Sequence, residues 1–223
     1  MMEAKKINYD TIFTEFLKTI DLDNKPTLFL HACCAPCLTY PLSILSRYFK
    51  VTVGYINHNI YPLSEFDKRQ NEVIRFIKEY SRDNDLHIDF VSVPNDYKIF
   101  LEEVKGHELD KEGGDRCEIC HRLRMRLAYE YASKNNFDYF TTVMTVSSKK
   151  PSRMLNEIGL ELQKTYTNTK FIVADFKKRD GQLKGINIGK QYNLYRQDYC
   201  GCSFSLLARQ EYLKRKAEEQ ENN

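Results

Sequence analysis

The chain reads Thr27-Leu28-Phe29-Leu30-His31-Ala32-Cys33-Cys34-Ala35-Pro36-Cys37 directly after the break at Asn24-Lys25-Pro26. The start of this segment is a short, largely apolar run, which is typical of a strand buried on both faces. Two more such runs follow at residues 51–56 and 87–93. Because burial on both faces is usual in parallel sheets, the segment predicts a parallel strand that ends at cysteines.

Helical segments separate these apolar runs. Residues 9–20 place apolar side chains on one face at helical spacing and predict the first helix. A later helix is predicted to enter through Thr39 with Pro41 near its start, and another to open at Ser64 with Asp67 in a near capping box. The pattern resumes with a helix at residues 117–135, a strand at 139–144, a helix at 152–166 and a strand at 171–174. This alternation predicts an α/β fold, with a five-stranded parallel sheet and helices on both faces.

The composition fits one globular domain. The chain has 223 residues, of which 42% are hydrophobic, with 15 Tyr and 13 Phe. That is enough apolar material for one core, so residues 1–223 are predicted to form a single domain. Residues 214–223, rich in Lys and Glu, are predicted to be a solvated helical tail that frays.

Charge and hydropathy narrow the class of protein. The formal net charge of +3 permits an RNA partner without requiring one. No apolar run approaches the roughly 18 residues of a membrane span, and residues 1–10 lack the apolar region of a signal peptide. We therefore expect a cytoplasmic protein without a membrane partner. In that reducing compartment, 7 cysteines indicate metal binding or redox catalysis rather than a disulfide framework.

Two cysteine pairs predict a metal site. Cys117 and Cys120 stand at the start of a predicted helix, whose unpaired amides favour thiolate. Cys33 and Cys34 follow the first strand, at the edge where open α/β sheets bind ligands. Thiolates together select zinc or an iron–sulfur cluster. A structural zinc site is the alternative, although such sites usually take a second Cys-x-x-Cys pair.

A third cysteine group is Cys200-Gly201-Cys202. A disulfide across this pair closes a very small ring, so it should be reduced more easily than a structural bridge. The pair is therefore predicted to carry two electrons to or from a neighbouring centre, with two free thiols as the alternative. Cys37 stays without an assigned role, and ligation of a substrate-facing metal is one option for it.

Together these motifs resemble the QueH-type epoxyqueuosine reductases, the cobalamin-independent family that acts in queuosine synthesis. The resemblance covers residues 27–205. It is carried by His31-Ala32-Cys33-Cys34-Ala35-Pro36-Cys37, Asn59-Ile60-Tyr61-Pro62 with Glu65, Gly114-Asp115-Arg116-Cys117-Glu118-Ile119-Cys120 with Arg122, Phe137-Asp138-Tyr139-Phe140-Thr141-Thr142, Ala174-Asp175-Phe176-Lys177-Lys178, and Leu194-Tyr195-Arg196-Gln197-Asp198-Tyr199-Cys200-Gly201-Cys202. One departure is Ser147-Ser148, where the family pattern has Ser-Pro.

The resemblance implies a fold, a cofactor and a reaction. The fold is Rossmann-like and related to the nucleotide-alpha-hydrolase (HUP) domains. The implied cofactors are a [4Fe–4S] cluster and a redox-active Cys200–Cys202 disulfide, and we also expect an additional mononuclear iron near Cys37. The implied cluster ligands are Cys33, Cys34, Cys117 and Cys120. The implied reaction is a two-electron removal of the epoxide oxygen of epoxyqueuosine at the wobble position of tRNA, the last step of queuosine biosynthesis.

The reaction needs protons as well as electrons. The candidate proton donors are His31, His58, Asp115 and Tyr195. His58 fits an ordinary loop histidine equally well, and Tyr195 fits an ordinary packing aromatic. With Cys37, Cys200 and Cys202, the side chains of Asp115 and Tyr195 are the expected catalytic groups.

The expected partners are a tRNA that bears epoxyqueuosine in its anticodon loop and an unidentified electron donor. Phosphate contacts are predicted for Lys149, Lys150, Arg153, Lys177, Lys178 and Arg196, and for the trio Arg122, Arg124 and Arg126. Tyr61 or Tyr195 is a candidate for stacking on an unpaired base. Each basic run taken singly also fits an ordinary solvated surface.

Two other functions compete with this interpretation. A tRNA-thiolating enzyme of related fold needs a Ser/Gly-rich loop for ATP after the first strand, and cysteines fill residues 32–37 instead. A zinc-stabilised RNA-binding module leaves Cys200-Gly201-Cys202 without a purpose. Iron and labile sulfide in the purified protein would favour the reductase over the module.

Overall fold

The sheet of this protein is seen in a computed structural model that describes residues 7–221. It has five parallel strands in the order β3-β2-β1-β4-β5. The strands are β1 (Thr27–His31), β2 (Lys50–Tyr55), β3 (Asp89–Ser92), β4 (Tyr139–Thr142) and β5 (Lys170–Phe171). The predicted α/β fold with a five-stranded parallel sheet is confirmed.

Eight α-helices occur in the part of the chain that the structure describes. They are α1 (Tyr9–Leu17), α2 (Ala35–Leu45), α3 (Leu63–Asn84), α4 (Tyr97–Glu103), α5 (Asp115–Lys134), α6 (Ser152–Gln163), α7 (Gly181–Gln191) and α8 (Ser203–Glu221). The sequence did not predict α4 or α7. The first is only 7 residues long, and the second contains Gly181, Gly185 and Gly189, which are poor helix formers. A short 3-10 helix, Val143–Val146, follows β4.

The central strand β1 separates two buried layers. Leu28 and Leu30 belong to a core shared with α1, α2 and α3, whereas Phe29 packs with α5 and α6. All three side chains are fully buried. Because successive strand residues point to opposite faces, one continuous apolar run fills both layers. The predicted helices on both faces of the sheet are confirmed.

The strand order reverses at β1, which lies between β2 and β4. At such a point the neighbouring connections leave towards opposite sides and open a crevice beyond the carboxyl ends of the strands. β1 ends at His31, so Cys33 and Cys34 lead directly into this crevice. The topology therefore places the first cysteine group where ligands bind in open α/β sheets.

The predicted start of α2 is wrong. The helix begins at Ala35 rather than near Thr39, and Pro36 lies in its first turn. A proline is tolerated there because the first amides of a helix have no partner within it. Pro41, which the sequence placed near the start, lies inside the helix.

Other boundaries also differ from those predicted. α3 begins at Leu63 after Pro62, and no side chain caps its first amides, so the predicted capping box at Ser64 and Asp67 is wrong. Residues 214–221 of the predicted tail continue α8, which starts at Ser203. Residues 222–223 and 1–6 lie outside the described residues. Within residues 7–221, no helix combines the length and apolar character that a membrane crossing requires.

Candidate functional site

Three thiols gather where β1 gives way to α2. Cys34 still has extended backbone, with φ −171° and ψ 159°, and the helix starts at the next residue. This change of direction brings Cys37 back towards Cys33 and Cys34, and the three Sγ atoms lie within 4.8 Å of one another. The Sγ atoms of Cys33 and Cys34 are 3.9 Å apart. Such a group of soft ligand atoms can hold a metal ion.

Negative charge in this thiol group is concentrated on one sulfur. Hydrogen bonds from Cys34 and Cys37, with a further contribution from the Arg124 guanidinium, hold the pKa of Cys33 well below its usual range. The interaction with Cys33 raises the pKa of Cys34 to about 12 and the pKa of Cys37 well above its usual range. Cys33 is therefore the thiolate of the group, and a bound metal ion would displace the protons of the other two thiols.

A cavity of about 1070 Å³ opens beside these thiols. Its walls include Cys33 and Cys37 from the first cysteine group, Cys117 from the second and Cys200 from the third. Three segments that are far apart in the sequence thus meet at one cavity. β1 brings the first group to the carboxyl edge of the sheet, whereas the first turn of α5 and the loop before α8 bring the other two groups to it.

The second and third cysteine groups lie close to each other. Cys117 lies in the first turn of α5, and its sulfur accepts the N–H of Gly113 at 3.2 Å. Cys120 lies one turn later in a buried apolar cluster against which Cys202 also packs. Burial raises the pKa of Cys120 to about 12. Cys200 and Cys202 are both free thiols in this structure.

A buried arginine lies among the cysteine groups. Arg124 follows Cys120 by one helical turn and is only 2% exposed. Its Nη2 donates to Asn57 Oδ1 at 2.8 Å, and Asn57 Nδ2 donates to the Ala32 carbonyl at 2.8 Å. Its Nε has no hydrogen-bond partner within residues 7–221. The prediction that Arg124 contacts tRNA phosphates is wrong, because its side chain is enclosed by the site.

The two flanking arginines of that trio are on the surface. Arg122 forms an ion pair with Glu161 at 2.8 Å, and Arg126 approaches Glu103 at 3.5 Å. Both side chains are 40% exposed. On a helix, residues two positions apart point in very different directions, so the trio cannot form one basic surface.

Neither histidine among the candidate proton donors lines the cavity, considering the described residues. His31 is fully buried, with Nδ1 3.1 Å from Thr142 Oγ1 and Nε2 3.2 Å from the Ile56 carbonyl, and burial lowers its pKa to about 4. His58 Nδ1 accepts the N–H of Asp96 at 2.9 Å, and burial lowers its pKa as well. Both imidazoles are neutral at pH 7 and engaged in hydrogen bonds that hold loops together.

The other two candidate acids lie in different places. Asp115 is exposed in the first turn of α5, lines the cavity, and has ligand atoms within 4.8 Å of those of His107 and Asp110. The Tyr195 hydroxyl donates to Glu65 at 3.1 Å, and burial raises the pKa of Tyr195. Tyr195 is not among the described residues that line the cavity. Of these two, the structure brings Asp115 to the site.

The predicted tRNA contacts divide into two groups. Those that line the cavity are Lys149, Lys150 and Arg196. Lys177 instead donates from Nζ to the Thr145 carbonyl at 2.8 Å, and Arg153 pairs with a glutamate one turn along α6. Lys178 lines a second cavity of about 940 Å³, which shares α7 as a wall with the first. Of the predicted basic residues, the adjacent pair Lys149 and Lys150 and the separate Arg196 thus line the cavity, whereas Arg153, Lys177 and Lys178 do not.

The sequence did not predict that three buried polar side chains line the site, although Arg124 was predicted as a phosphate contact. The buried atoms His121 Nδ1, Arg124 Nε and Gln197 Oε1 lack a hydrogen-bond partner among the described residues, and all three side chains line the cavity. His121 and Arg124 lie four and seven residues after Cys117, a spacing that places side chains on one helix face. This helical periodicity could have predicted that His121 and Arg124 lie on the same side of α5 as Cys117. Gln197 lies in a loop, where no periodicity exists.

Comparison with known proteins identifies the family. The family model described as Epoxyqueuosine reductase QueH matches residues 28–208. The chain belongs to this family. The resemblance predicted from the cysteine motifs is thereby confirmed, and the chain is an oxidoreductase.

Relatives named epoxyqueuosine reductase QueH agree with this assignment. The relative from Streptococcus pyogenes serotype M1 is 36% identical, over 92% of this chain and 80% of its own. Those from Staphylococcus aureus and Thermotoga maritima are 34% and 31% identical, over 92% and 83% of this chain and 87% and 93% of their own. Among solved structures, the U34-tRNA thiolase NcsA from Methanococcus maripaludis with its [4Fe-4S] cluster is similar at a TM-score of 0.48 and 13% identity, over 92% of this chain and 77% of that one.

Proposed function

We propose that this chain reduces epoxyqueuosine to queuosine at the wobble position of tRNA. The substrate takes up two electrons and two protons, the epoxide oxygen leaves as water, and the ring becomes a cyclopentene. The observation that carries the proposal is the meeting of three cysteine segments at one cavity in a chain of this family. A reductase that uses an iron–sulfur cluster or a dithiol needs sulfur ligands or exchangeable thiols, and this cavity is lined by thiols from all three segments.

Thiols are the donors that an iron–sulfur cluster takes. Among the described residues, the thiols that form a group within 4.8 Å are Cys33, Cys34 and Cys37, so Cys117 and Cys120 would have to approach them when a cluster binds. We assign its ligands as Cys33, Cys34, Cys117 and Cys120, and we assign Cys37 to an additional iron. The grouped thiols at the end of β1 and the buried guanidinium of Arg124 support an anionic metal group here, because a buried cation needs a negative partner. A bound cluster supplies electrons at the cavity wall. The residues that line this part of the cavity would fix the position of the cluster and exclude water from it.

Cys200 and Cys202 are assigned as a redox-active pair. As a dithiol the pair can release two electrons and two protons and form a disulfide, which balances one turnover of the substrate. The lining of the cavity by Cys200 supports this role. An electron donor outside the chain then has to restore the dithiol.

Asp115 is the proposed proton donor, because it lines the cavity and is exposed to solvent. Tyr195 stays a predicted donor, and Tyr195→Phe tests it by turnover. The proposed phosphate contacts at the cavity are Lys149, Lys150 and Arg196, to which the structure adds Lys190 as a further lining residue. Arg153, Lys177 and Lys178 stay predictions that nothing at the cavity supports.

The rival functions find less support. A thiolating enzyme that adenylates tRNA needs backbone amides free for pyrophosphate after β1, and this position is occupied by grouped thiols. A zinc-stabilised binding module has no use for a large cavity lined by three cysteine segments. A metal analysis separates the second rival from the reductase.

The proposal is tested with protein purified under nitrogen and supplied with dithionite and tRNA that carries epoxyqueuosine. The tRNA is then digested, and its nucleosides are measured by mass spectrometry. We expect iron, labile sulfide and a nucleoside that has lost one oxygen atom. Cys117→Ala should abolish the product, whereas Lys18→Gln, directly after α1, should not. A colourless zinc protein that leaves the nucleoside unchanged would exclude the reductase.

A further inference from the structure

The loop that carries Cys200 and Cys202 is held by a buried arginine of α3. Arg69 is 1% exposed. Its Nη1 donates to the Cys200 carbonyl at 2.9 Å, and its Nη2 donates to the Tyr199 carbonyl at 3.3 Å. Its Nε donates to Glu65 Oε1 at 2.7 Å, one turn earlier on the same helix. One guanidinium thus connects α3 to the backbone of the cysteine loop.

The carboxylate that orients this arginine is itself fixed. Glu65 has a side chain that is only 11% exposed. Both of its oxygens lie 3.1 Å from the Tyr195 hydroxyl, which donates to them. The N–H of Tyr195 in turn donates to Glu72 at 2.6 Å. The orientation of the Glu65–Arg69 ion pair is therefore fixed by Tyr195 as well as by the cysteine loop.

The opposite side of the loop is also anchored. The Gly201 carbonyl accepts the N–H of Tyr61 at 2.8 Å, and the Tyr199 hydroxyl donates to the Tyr61 carbonyl at 2.5 Å. Gly201 has φ +146°, a conformation that side chains rarely adopt, and a Cβ there would lie 3.2 Å from Arg69 Nη1. The glycine thus lets the loop backbone lie directly on the guanidinium.

Burial of the Arg69 guanidinium carries a desolvation penalty. Taking it out of water is unfavourable unless its donors are satisfied by good geometry. Here they are satisfied by one carboxylate and by two carbonyls that belong to the cysteine loop. Hydrogen bonds from a charged donor are stronger than those between neutral groups. The loop backbone is therefore more firmly held than an ordinary surface loop.

We propose that Arg69 is the positioning residue of the Cys200–Cys202 pair and holds it in the dithiol geometry, which makes its disulfide the stronger oxidant. This inference rests on the proposed redox role of the pair. Closing the disulfide requires the two sulfurs to approach, and a backbone fixed by Arg69 resists that movement.

The test is a redox titration of the full chain in dithiothreitol buffers. Reduction of the disulfide takes two electrons and two protons from dithiothreitol, which becomes its cyclic disulfide. Free thiols are then alkylated, and the peptide with Cys200 and Cys202 is quantified by mass spectrometry. Arg69→Gln should shift the equilibrium about tenfold towards the disulfide, which is about 30 mV for a two-electron couple. Arg69→Lys keeps the charge with fewer donors and should give a smaller shift.

Arg75 provides a matched control on the same helix. It pairs with Glu72 and Glu79 and donates to the carbonyl of Tyr192 at 3.0 Å, so it also connects α3 to the later part of the chain. Its direct contacts stop short of the cysteine loop, and it shares only Glu72 with the contacts around Arg69, through the N–H of Tyr195. Arg75→Gln should lower stability without moving the redox equilibrium. Equal shifts in the two glutamine variants, or none in either, would overturn the inference.

A second measurement keeps the inference separate from the proposed redox role. In the fully reduced chain, we expect Arg69→Gln to raise the alkylation rate of Cys200 at least fivefold over Arg75→Gln, because the loop loses its anchor. If no disulfide forms in the unmodified chain at any dithiothreitol ratio, the redox role of the pair fails, and the alkylation rates still decide the role of Arg69. Unchanged alkylation in Arg69→Gln would reject the positioning role.

Discussion

Cys33 shows how one sulfur comes to carry the charge of the site. Two neighbouring thiols donate to it, and Arg124 lies close by, so its pKa falls although burial opposes the change. A deprotonated sulfur is the form that binds a metal. The adjacent Cys34 has a raised pKa from the same interactions. Two adjacent cysteines thus have shifted pKa values of opposite sign, because their surroundings differ.

The assignment of Cys120 to the cluster and of Cys37 to an additional iron makes different predictions for the two residues. We expect Cys120→Ser to lose the four-iron cluster, because a proposed ligand is removed. We expect Cys37→Ser to keep labile sulfide at the level of the unmodified chain. It should lose about one iron ion, because the proposed ligand of that ion is removed. Iron and sulfide analysis after anaerobic purification checks both. Loss of sulfide in Cys37→Ser alone would move Cys37 into the cluster set.

Arg124 should matter to stability as well as to charge. Arg124→Ala removes the donor to Asn57 and leaves a buried amide oxygen without a partner. We expect a loss of about 2–4 kcal/mol in the free energy of unfolding, measured by urea denaturation of the metal-free chain. Arg126→Ala is the matched control two residues later, where the ion pair is exposed and its loss should cost below about 0.5 kcal/mol. Similar losses in the two variants would contradict the assigned burial.

His58 should make stability depend on pH. Burial lowers its pKa in the folded state, so between the folded value and the usual value near 6.5 the unfolded chain binds more protons. Stability from the neutral His58 is therefore complete above pH 6.5 and is lost as the pH falls through the folded pKa. We expect the unfolding free energy of His58→Gln to fall less steeply below pH 6.5 than that of the unmodified chain. His87→Gln, at a side chain that is 89% exposed, should follow the unmodified chain.

Helix α5 illustrates what a single element contributes to the site. Its first turns carry Cys117, Cys120 and Arg124 at intervals that place them on one face. The face packs against the end of β1 through Asn57, so the helix delivers two thiols and one cation together. The sequence predicted this helix and its cysteines. The same helical spacing, extended by one turn, would also have predicted that Arg124 lies beside the cysteines.

Helix α7 depends on close packing at its glycines. A Cβ at Gly181 would lie 2.0 Å from the Phe176 carbonyl oxygen, whereas a Cβ at Gly189 has its nearest neighbour at 3.9 Å. We expect Gly181→Ala to lower the free energy of unfolding by about 1–3 kcal/mol through overpacking. Gly189→Ala should leave it unchanged or raise it by up to about 1 kcal/mol, since alanine favours helix. Urea midpoints of the two variants check the pair, and equal midpoints would contradict the packing of α7.

The basic surface around the cavity is formed by residues from separate segments of the chain. Lys190 on α7 and Arg196 in the following loop both line it and are exposed. If each contacts one phosphate of an unpaired anticodon loop, changing both to Gln should make the salt dependence of tRNA binding shallower by about 1.4 in log–log slope. Filter binding at several salt concentrations measures the slope. Lys178→Gln at the second cavity is the control, and a shallower slope there would restore the contact predicted from the sequence.

The sequence by itself determined the fold class, the family and the cysteines that carry the chemistry. These follow from local patterns: an apolar run of strand length, alternation with helices, and short fixed spacings between cysteines. Such patterns are set by the geometry of a few neighbouring residues, so they can be read from the chain alone.

Only the tertiary structure decided which charged residues serve the site. Arg69 meets the carbonyl of Cys200 across 131 positions, and Arg124 is enclosed although its neighbour Arg122 is exposed. A cation at the surface and one in the core look alike in a sequence, because burial depends on the packing of distant segments. The same reason explains why the predicted phosphate contact of Lys177 became an internal hydrogen bond to Thr145.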